Sequence, residues 1–527
     1  MARFLLISLS IAAILGEATI RKRRERLKVM TSGLGLDGAY DATLDRIKGQ
    51  SKGKSALGMA ALMWISRSER PMKIGELCEA LAVEMGTRDI DSDNIPSEKT
   101  VLTSCLGLVT VDESSIIRLV HFTLQEYFDS HLEHFKRPQA TMAEVCLTYL
   151  NFDSVNNISY TLKCAPAETR FLQYASSYWG VYARNGLTEG VKSLALQLLD
   201  KFGKHISANL LVRRKFNLWE RRTRRSMRFS GLHCLAYLGL DEIAIAWLEG
   251  EPGCSADAAD GQGRTPLMWA AEYGHEAMVK LLLGRKDVNP DSRDNYSKTP
   301  LFHAAEGGYE GIVKLLLDRE EANPDSKDNR GITPLMWAAE CGHEGIVKLL
   351  LGRGEVNPES KDDSGATALH YAARDGHAGI VQLLLDREEV NPESKDNWSR
   401  TPLMKVAEGG FEGIVKLLLD REEVNPDSKD DSGLTPLHSA ARSGHAGIVQ
   451  LLLDREEVNP DARDIHGRTP IWCAAKRGHD RIVELLQGRS DAEPDTEADY
   501  PSLSSSSFSS SFSISASSSE DSSVSHD

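Results

Sequence analysis

A threonine followed by a short apolar run returns at Thr265, Thr299, Thr333, Thr367, Thr401, Thr435 and Thr469, each 34 residues after the one before. A fixed period of this size means that every unit is one supersecondary module, too small to bury its apolar face alone, which must stack on copies of itself. Each unit reads like TPLMWAAEYGHEAMVKLLL: Thr, Pro, a short apolar helix, Gly, a longer helix, then a polar loop rich in Asn, Pro, Asp and Ser. The threonine hydroxyl is placed to cap the first helix, and the proline fills its first turn, where a missing N–H costs nothing. Proline is kept in six repeats and replaced by Ala368 in one. Gly274, Gly308, Gly342, Gly376, Gly410, Gly444 and Gly478 fall between the two helices, where a residue tolerant of positive φ ends the first. The second helix offers a stripe such as Ile312, Val313, Leu316 and Leu317 for burial against its neighbours.

TPLH, AA, GH and LLL at this spacing resemble the ankyrin repeat, in seven full copies over about half of the chain. The resemblance implies a helical solenoid that binds proteins on the face built from its loop fingers and first helices. A tetratricopeptide array shares the period, but its Trp and Gly-Tyr signature is missing here. The histidine of TPLH stands only at His370 and His438, with Met268, Phe302, Met336, Met404 and Trp472 elsewhere. The Thr to His bond that the resemblance implies therefore has its partner in two of the seven repeats. A degenerate eighth unit, SGLHCLAYLGLDEIAIAWLEG, precedes the array from Ser230 to Gly250. Ile245 stands where the full repeats carry Lys, Gln or Glu, and predicts an outer face packed on the preceding domain. Gln487, in place of the third Leu, fits a solvent-facing cap.

Upstream, the pattern predicts helices near Ala56 to Ile65, Ile74 to Val83 and Lys99 to Leu106. Two strands, Leu108 to Val111 and Ile116 to Val120, flank the turn Asp112 to Ser115, as in the wing of a winged helix. ERPMKIGELCEALAVE, GLVTVDESSIIRLVHFTLQEYF and FLQYASSYWGVYAR together resemble the winged-helix and helical segment of fungal NACHT-type receptors, which lies between an NTPase and ankyrin repeats. Met1 to Gln50 resembles only the last helices of such an NTPase. The expected class is mainly α. The expected organisation is a residual helical segment over 1–51, a winged-helix-like domain over 52–135 and a helical connector with a basic stretch over 136–228. Ankyrin repeats follow over 229–489, and a disordered Ser-rich tail over 490–527.

Composition bounds the function. With 62 basic against 77 acidic residues the net charge is −15, which argues against a general nucleic-acid coat or attraction to anionic membranes. The eight cysteines are scattered, with no CxxC pair and no zinc-ligand spacing, which reads as reduced thiols in a cytoplasmic compartment, with the nucleus as the second candidate. Phe4 to Leu15 imitates a signal-peptide core, but it is short and Arg21 to Arg26 follows it, so it is read as a retained helix packed on the winged-helix half.

The motifs that could carry chemistry read as structure. GQSKGKS, Gly49 to Ser55, is one residue short of a phosphate loop and follows a polar helical stretch, not a buried strand. His121 near Gln125 and Glu126 is a lone histidine at a strand end. No catalytic constellation is visible, and no enzyme activity, cofactor, metal or small-molecule substrate is assigned. Arg213 to Arg228 holds eight basic residues against one Glu; it suits a solvated helix face or, in the alternative reading, a nuclear DNA-associated regulator that uses the winged helix.

The scaffold is nearly constant between copies while finger tips and the residue before AA vary, which points to a recognition surface for a protein partner. The candidate contacts are Trp269, Tyr273, Tyr296, Arg330, Trp337, Tyr371, Arg374, Trp398, Arg442, His466, Lys476 and Arg477. The ends of the first helices run from Glu272, Glu306 and Glu340 to Arg442, Lys476 and Arg477, a charge gradient that is acidic early and basic late.

Overall fold

The structure, a computed structural model, describes residues 19–21, 36–160, 162, 164–215, 228–250 and 255–489. Phe4 to Leu15, the greater part of Arg213 to Arg228, and the Ser-rich tail lie outside the described residues. The chain divides into two compact units, Met1–Asn391 and Pro392–Asp527.

The first unit opens on helix Leu36–Lys48, a turn at Gly49, and helix Lys52–Arg67. The GQSKGKS stretch is thus the junction of two helices, and Lys54 lies in the first turn of the second. Helices Ile74–Ala82 and Glu98–Ser104 follow, the latter capped by Ser97, whose Oγ accepts from Thr100 N–H at 3.2 Å. The wing is β2, Val109–Val111, and β3, Ile116–Leu119, in antiparallel register Val109↔Leu119, Thr110↔Arg118 and Val111↔Ile117. Its turn is held by Asp112, whose Oδ1 accepts from Ser114 N–H at 2.9 Å and Ile116 N–H at 3.0 Å. The sequence pattern missed β1, Met72–Lys73, which pairs with β3 to give the order β1-β3-β2. A two-residue strand running straight into a helix leaves no alternation to detect.

The winged helix shares its core with the helices that follow it, Pro138–Leu150, Leu172–Asn185, Glu189–Asp200 and Ile206–Lys215. Trp64 meets Phe171, Tyr174 and Tyr182 edge-on at 5.6, 6.1 and 6.3 Å. Buried Glu79 accepts from Arg170 N–H at 3.1 Å, Phe171 N–H at 2.9 Å and Tyr149 Oη at 3.2 Å. That network satisfies a carboxylate that would otherwise oppose burial.

His205 precedes helix Ile206–Lys215, accepts from Ser207 N–H at 3.1 Å through Nδ1, and is 3 % exposed. Burial pushes its pKa from 6.5 down to about 4. Burial also lowers the pKa of His233, His275 and His438. The fold keeps these rings neutral whereas the unfolded chain protonates them near pH 6.5, so unfolding takes up protons. Stability is therefore expected to fall as pH drops from 6.5 toward 4, with about 3 kcal/mol from His205 alone. Thermal unfolding of wild type and His205→Asn across this range checks it. Asn keeps an acceptor for Ser207 N–H and cannot titrate, so its profile should be flatter; equal slopes would refute the assignment.

The repeats follow in the same unit. Helix Gly231–Leu238 and helix Asp241–Gly250 form the degenerate one. First helices Pro266–Glu272, Pro300–Glu306, Pro334–Cys341 and Ala368–Asp375 alternate with second helices Glu276–Leu283, Glu310–Leu317, Glu344–Leu351 and Ala378–Leu385. At eight residues or fewer, none of these full-repeat helices would persist alone in water; burial of stripes such as Ile312, Val313, Leu316 and Leu317, about 1.5–3 kcal/mol per side chain, holds them. Thr367 and His370 Nδ1 lie 3.0 Å apart, and the degenerate unit keeps the same pair as Ser230 and His233 at 2.7 Å. Where Met replaces that histidine the threonine still caps, Thr333 Oγ1 accepting from Met336 N–H at 3.3 Å. His377 Nε2 reaches back to the Glu340 carbonyl at 2.9 Å, its ring over Gly342, where φ is +82° and a Cβ would lie 2.7 Å from the ring. Ile245 does not pack on the preceding domain: it is 43 % exposed, because the helix buries Ile243, Ala244, Trp247 and Leu248 and turns residue 245 away.

The second unit holds first helices Pro402–Gly409, Pro436–Ser443 and Pro470–Arg477 and second helices Glu412–Leu419, Ala446–Leu453 and Asp480–Gln487. Thr435 and His438 Nδ1 are 2.9 Å apart, and His445 Nε2 reaches the Glu408 carbonyl at 3.1 Å. Fingers join through main-chain bonds, Asp431 N–H to Trp398 O at 3.1 Å and Ile465 N–H to Ser432 O at 3.0 Å, with side-chain bonds such as Ser399 Oγ to Asp431 Oδ1 at 2.6 Å beside them. The first unit does the same, Asn329 N–H to Tyr296 O and Asp363 N–H to Arg330 O, both at 2.9 Å. Among the described residues no helix is long and apolar enough to cross a membrane, no group of His, Cys, Asp and Glu is placed to hold a metal ion, and the cysteines are unpaired.

Candidate recognition surface

Every finger turns on one aspartate. In the first unit Asp294 Oδ1 accepts from Tyr296 N–H at 2.8 Å and Lys298 N–H at 2.9 Å, and Asp260, Asp328 and Asp362 do the same for their own fingers. In the second unit Asp396, Asp430 and Asp464 repeat it. In four of the fingers the second carboxylate oxygen meets the first helix, nine residues on. Trp269 Nε1 donates to Asp260 at 3.0 Å, His303 Nε2 to Asp294 at 3.2 Å and Tyr371 Oη to Asp362 at 2.8 Å, while Lys405 Nζ lies 3.4 Å from Asp396. Burial pushes the Asp294 carboxyl up, but the bonds from His303 and the two amides outweigh it and leave it below the ordinary value. Burial and nearby Arg400 hold the Lys405 ammonium below its usual range, against the pull of Asp396.

The varied residue before AA is therefore an internal tie in these four repeats, and this corrects the sequence expectation at two sites. Trp269, 1 % exposed, is core: Phe229 and Tyr237 meet it edge-on at 5.4 and 5.7 Å. Tyr371 is likewise buried, its hydroxyl spent on Asp362. Tyr273 is half-buried against Tyr237 at 4.7 Å. Trp337 is half-buried beneath Arg330 and Lys298, whose charges lie 5.7 and 5.0 Å from its ring. The finger tips Tyr296, Arg330, Trp398 and His466 are exposed, Trp398 with Arg400 stacked 4.6 Å from its ring.

The acidic start of the gradient is also altered by pairing that linear order hides. Arg264 meets Glu272 at 2.8 Å, Lys298 meets Glu306 at 2.8 Å, and Arg374 bridges Glu340 at 2.6 Å and Asp375 at 2.8 Å. Those glutamates are neutralised where they stand. In the second unit a cleft of about 750 Å³ opens across the three first helices, with Arg400, Lys405, Arg442 and Arg477 facing Glu408 and Asp430 on its walls. Arg442 reaches Glu408 at 3.3 Å, an exposed pair of little energetic weight. Exposed Arg477 ends the last first helix and forms no ion pair among the described residues; Lys476 is exposed beside it. Sequence reasoning did not single out Arg400 or the finger aspartates; recurrence of Asp at the same finger position in every repeat was the available signal.

His121 caps helix Phe122–Ser130, its Nδ1 3.3 Å from Thr123 N–H and 2.9 Å from Thr123 Oγ1, a structural role.

Stacked helix pairs with linked fingers define a repeat solenoid. A family profile described as ankyrin repeats matches residues 232–328, 320–396, 379–464 and 403–498, and the chain belongs to the ankyrin-repeat family. Residues 44–140 match a profile described as the winged helix domain of GPI inositol-deacylase. A search of curated proteins gave no match. Ankyrin repeats are non-enzymatic modules for protein–protein interaction.

Proposed function

We propose that this chain is a non-catalytic scaffold or receptor fragment that holds a protein partner on its fingers and first helices, with an acidic stretch of the partner in the cleft of the second unit. The observation that carries it is the set of basic side chains on that cleft, Arg400, Lys405, Arg442 and Arg477. Trp398, 51 % exposed beside Arg400, adds an aromatic anchor of the kind that dominates binding energy. The winged-helix half, set before ankyrin repeats as in NACHT-type receptors, passes the contact on, and a cytoplasmic location suits this role.

Reversing Arg442, Lys476 and Arg477 to Glu in the full chain is expected to weaken binding of a fluorescein-labelled oligo-glutamate peptide at least tenfold and to flatten its salt dependence. The unfolding midpoint should barely move, since exposed charges contribute little to stability. Unchanged affinity in the triple variant would remove the cleft from the proposal. Specific duplex DNA binding that survives it would favour the regulator reading instead.

A further inference from the structure

The described chain stops at Arg489, just beyond the last second helix, where its Nη1 donates to the Leu453 carbonyl at 2.9 Å. The sequence that follows, SDAEPDTEADY, places Asp491, Glu493, Asp495, Glu497 and Asp499 at every second position. Residues 490–527 hold eight acidic residues and no lysine or arginine. In an extended strand, alternate side chains share one side at a spacing of about 7 Å. Pro494 favours the extended form at Glu493. The cleft presents Lys405, Arg442 and Arg477 from three successive first helices, and packed helices stand about 8–10 Å apart. Ten extended residues reach about 33–36 Å, several times the roughly 12 Å length of an eight-residue helix, so the ladder can turn back from Arg489 toward Arg477.

We infer that the acidic ladder Asp491–Asp499 is a ligand of the chain's own basic cleft, docking in cis and competing with the external partner. This rests on the proposed use of that cleft and deepens it, adding a regulator that the chain carries itself. A short tether gives an effective concentration on the order of 1 mM, so a segment whose free peptide binds at about 100 μM would be docked about nine-tenths of the time. An outside ligand would then meet about a tenth of the clefts open, and its apparent affinity would fall about tenfold.

The test uses the full chain, the variant Asp491→Asn, Glu493→Gln, Asp495→Asn, Glu497→Gln, Asp499→Asn, and each of these with Arg442, Lys476 and Arg477 reversed to Glu. Labelled oligo-glutamate should bind the ladder-neutral chain about tenfold tighter than wild type, and a synthetic 490–500 peptide should compete it off. Carbodiimide treatment of the wild-type chain should join a carboxylate of 491–499 to exposed Lys476, beside the cleft, within one molecule, and 0.5 M salt should suppress the product. If cleft reversal abolishes probe binding but ladder neutralisation changes neither affinity nor cross-linking, the cis ligand is wrong and the cleft stands. If cleft reversal leaves probe binding intact, the reading of the cleft itself has failed. Cross-links that appear only between two chains, and fade on dilution, would overturn docking in cis.

Discussion

Asp396→Ala is expected to destabilise the second unit by about 4 kcal/mol, whereas the same change at Asp430 in the next finger costs about 2 kcal/mol. Both aspartates hold their finger through two amides, Asp396 at 2.9 and 2.9 Å and Asp430 at 2.8 and 2.8 Å. They differ in what else they face. Asp396, with a side chain 1 % exposed, is also the acceptor for Arg400 Nε at 2.9 Å and the counter-ion of Lys405, whose side chain is 14 % exposed. Asp430 has no ion pair among the described residues. Removing Asp396 strands a largely buried ammonium, and breaking a buried pair from one side leaves a charge that neither water nor protein compensates. Urea unfolding of both variants measures the difference. Adding Lys405→Met to Asp396→Ala should recover about half of the loss, because the stranded charge goes and the lost amide bonds do not return. If the two alanine variants are equally unstable, Lys405 is better hydrated than its position implies.

Trp269→Ala should cost about 4 kcal/mol in the first unit, while Trp398→Ala should leave the second unit within about 0.5 kcal/mol of wild type. The two tryptophans looked alike as candidate anchors. Trp269 packs edge-on against Phe229 and Tyr237 and lines a small apolar void with them, Leu211 and Val212, so its loss enlarges that cavity and takes the indole donor from Asp260. Trp398 has half of its surface in solvent. Its truncation should show instead in partner binding, by about 2 kcal/mol if it is a central anchor. Thermal unfolding separates the two, and a marginal stability loss at Trp269 would mean that the junction between connector and repeats is loosely packed.

How much of this was legible in the sequence follows from the range of each interaction. Capping threonines, prolines at the first turn and helix-ending glycines act within a few residues, so the 34-residue period placed every helix of the full repeats. The wing was legible for the same reason, since Asp112 holds its turn locally. The burial of Trp269 was not, because it depends on Phe229 and Tyr237, 40 and 32 residues away in sequence. Nor was the pairing of Arg374 with Glu340, which joins neighbouring repeats. The finger aspartates were visible as a constant, but the target of their second oxygen changes from Trp to His to Tyr to Lys. A reading that equates variation with exposure mistakes such a position for surface.

The joints between fingers carry a different implication, for how such a gene can change. Because Asn329 bonds Tyr296, Asp363 bonds Arg330 and Ile465 bonds Ser432 through main-chain atoms, this part of the link is indifferent to which side chains stand there. Duplication or loss of a whole 34-residue segment by unequal crossing-over would rejoin the array with the same backbone bonds in the same register. Length and side-chain inventory can then drift apart: recombination alters how many ligand contacts are offered, and point substitution alters their kind, with neither process forced to rebuild the scaffold.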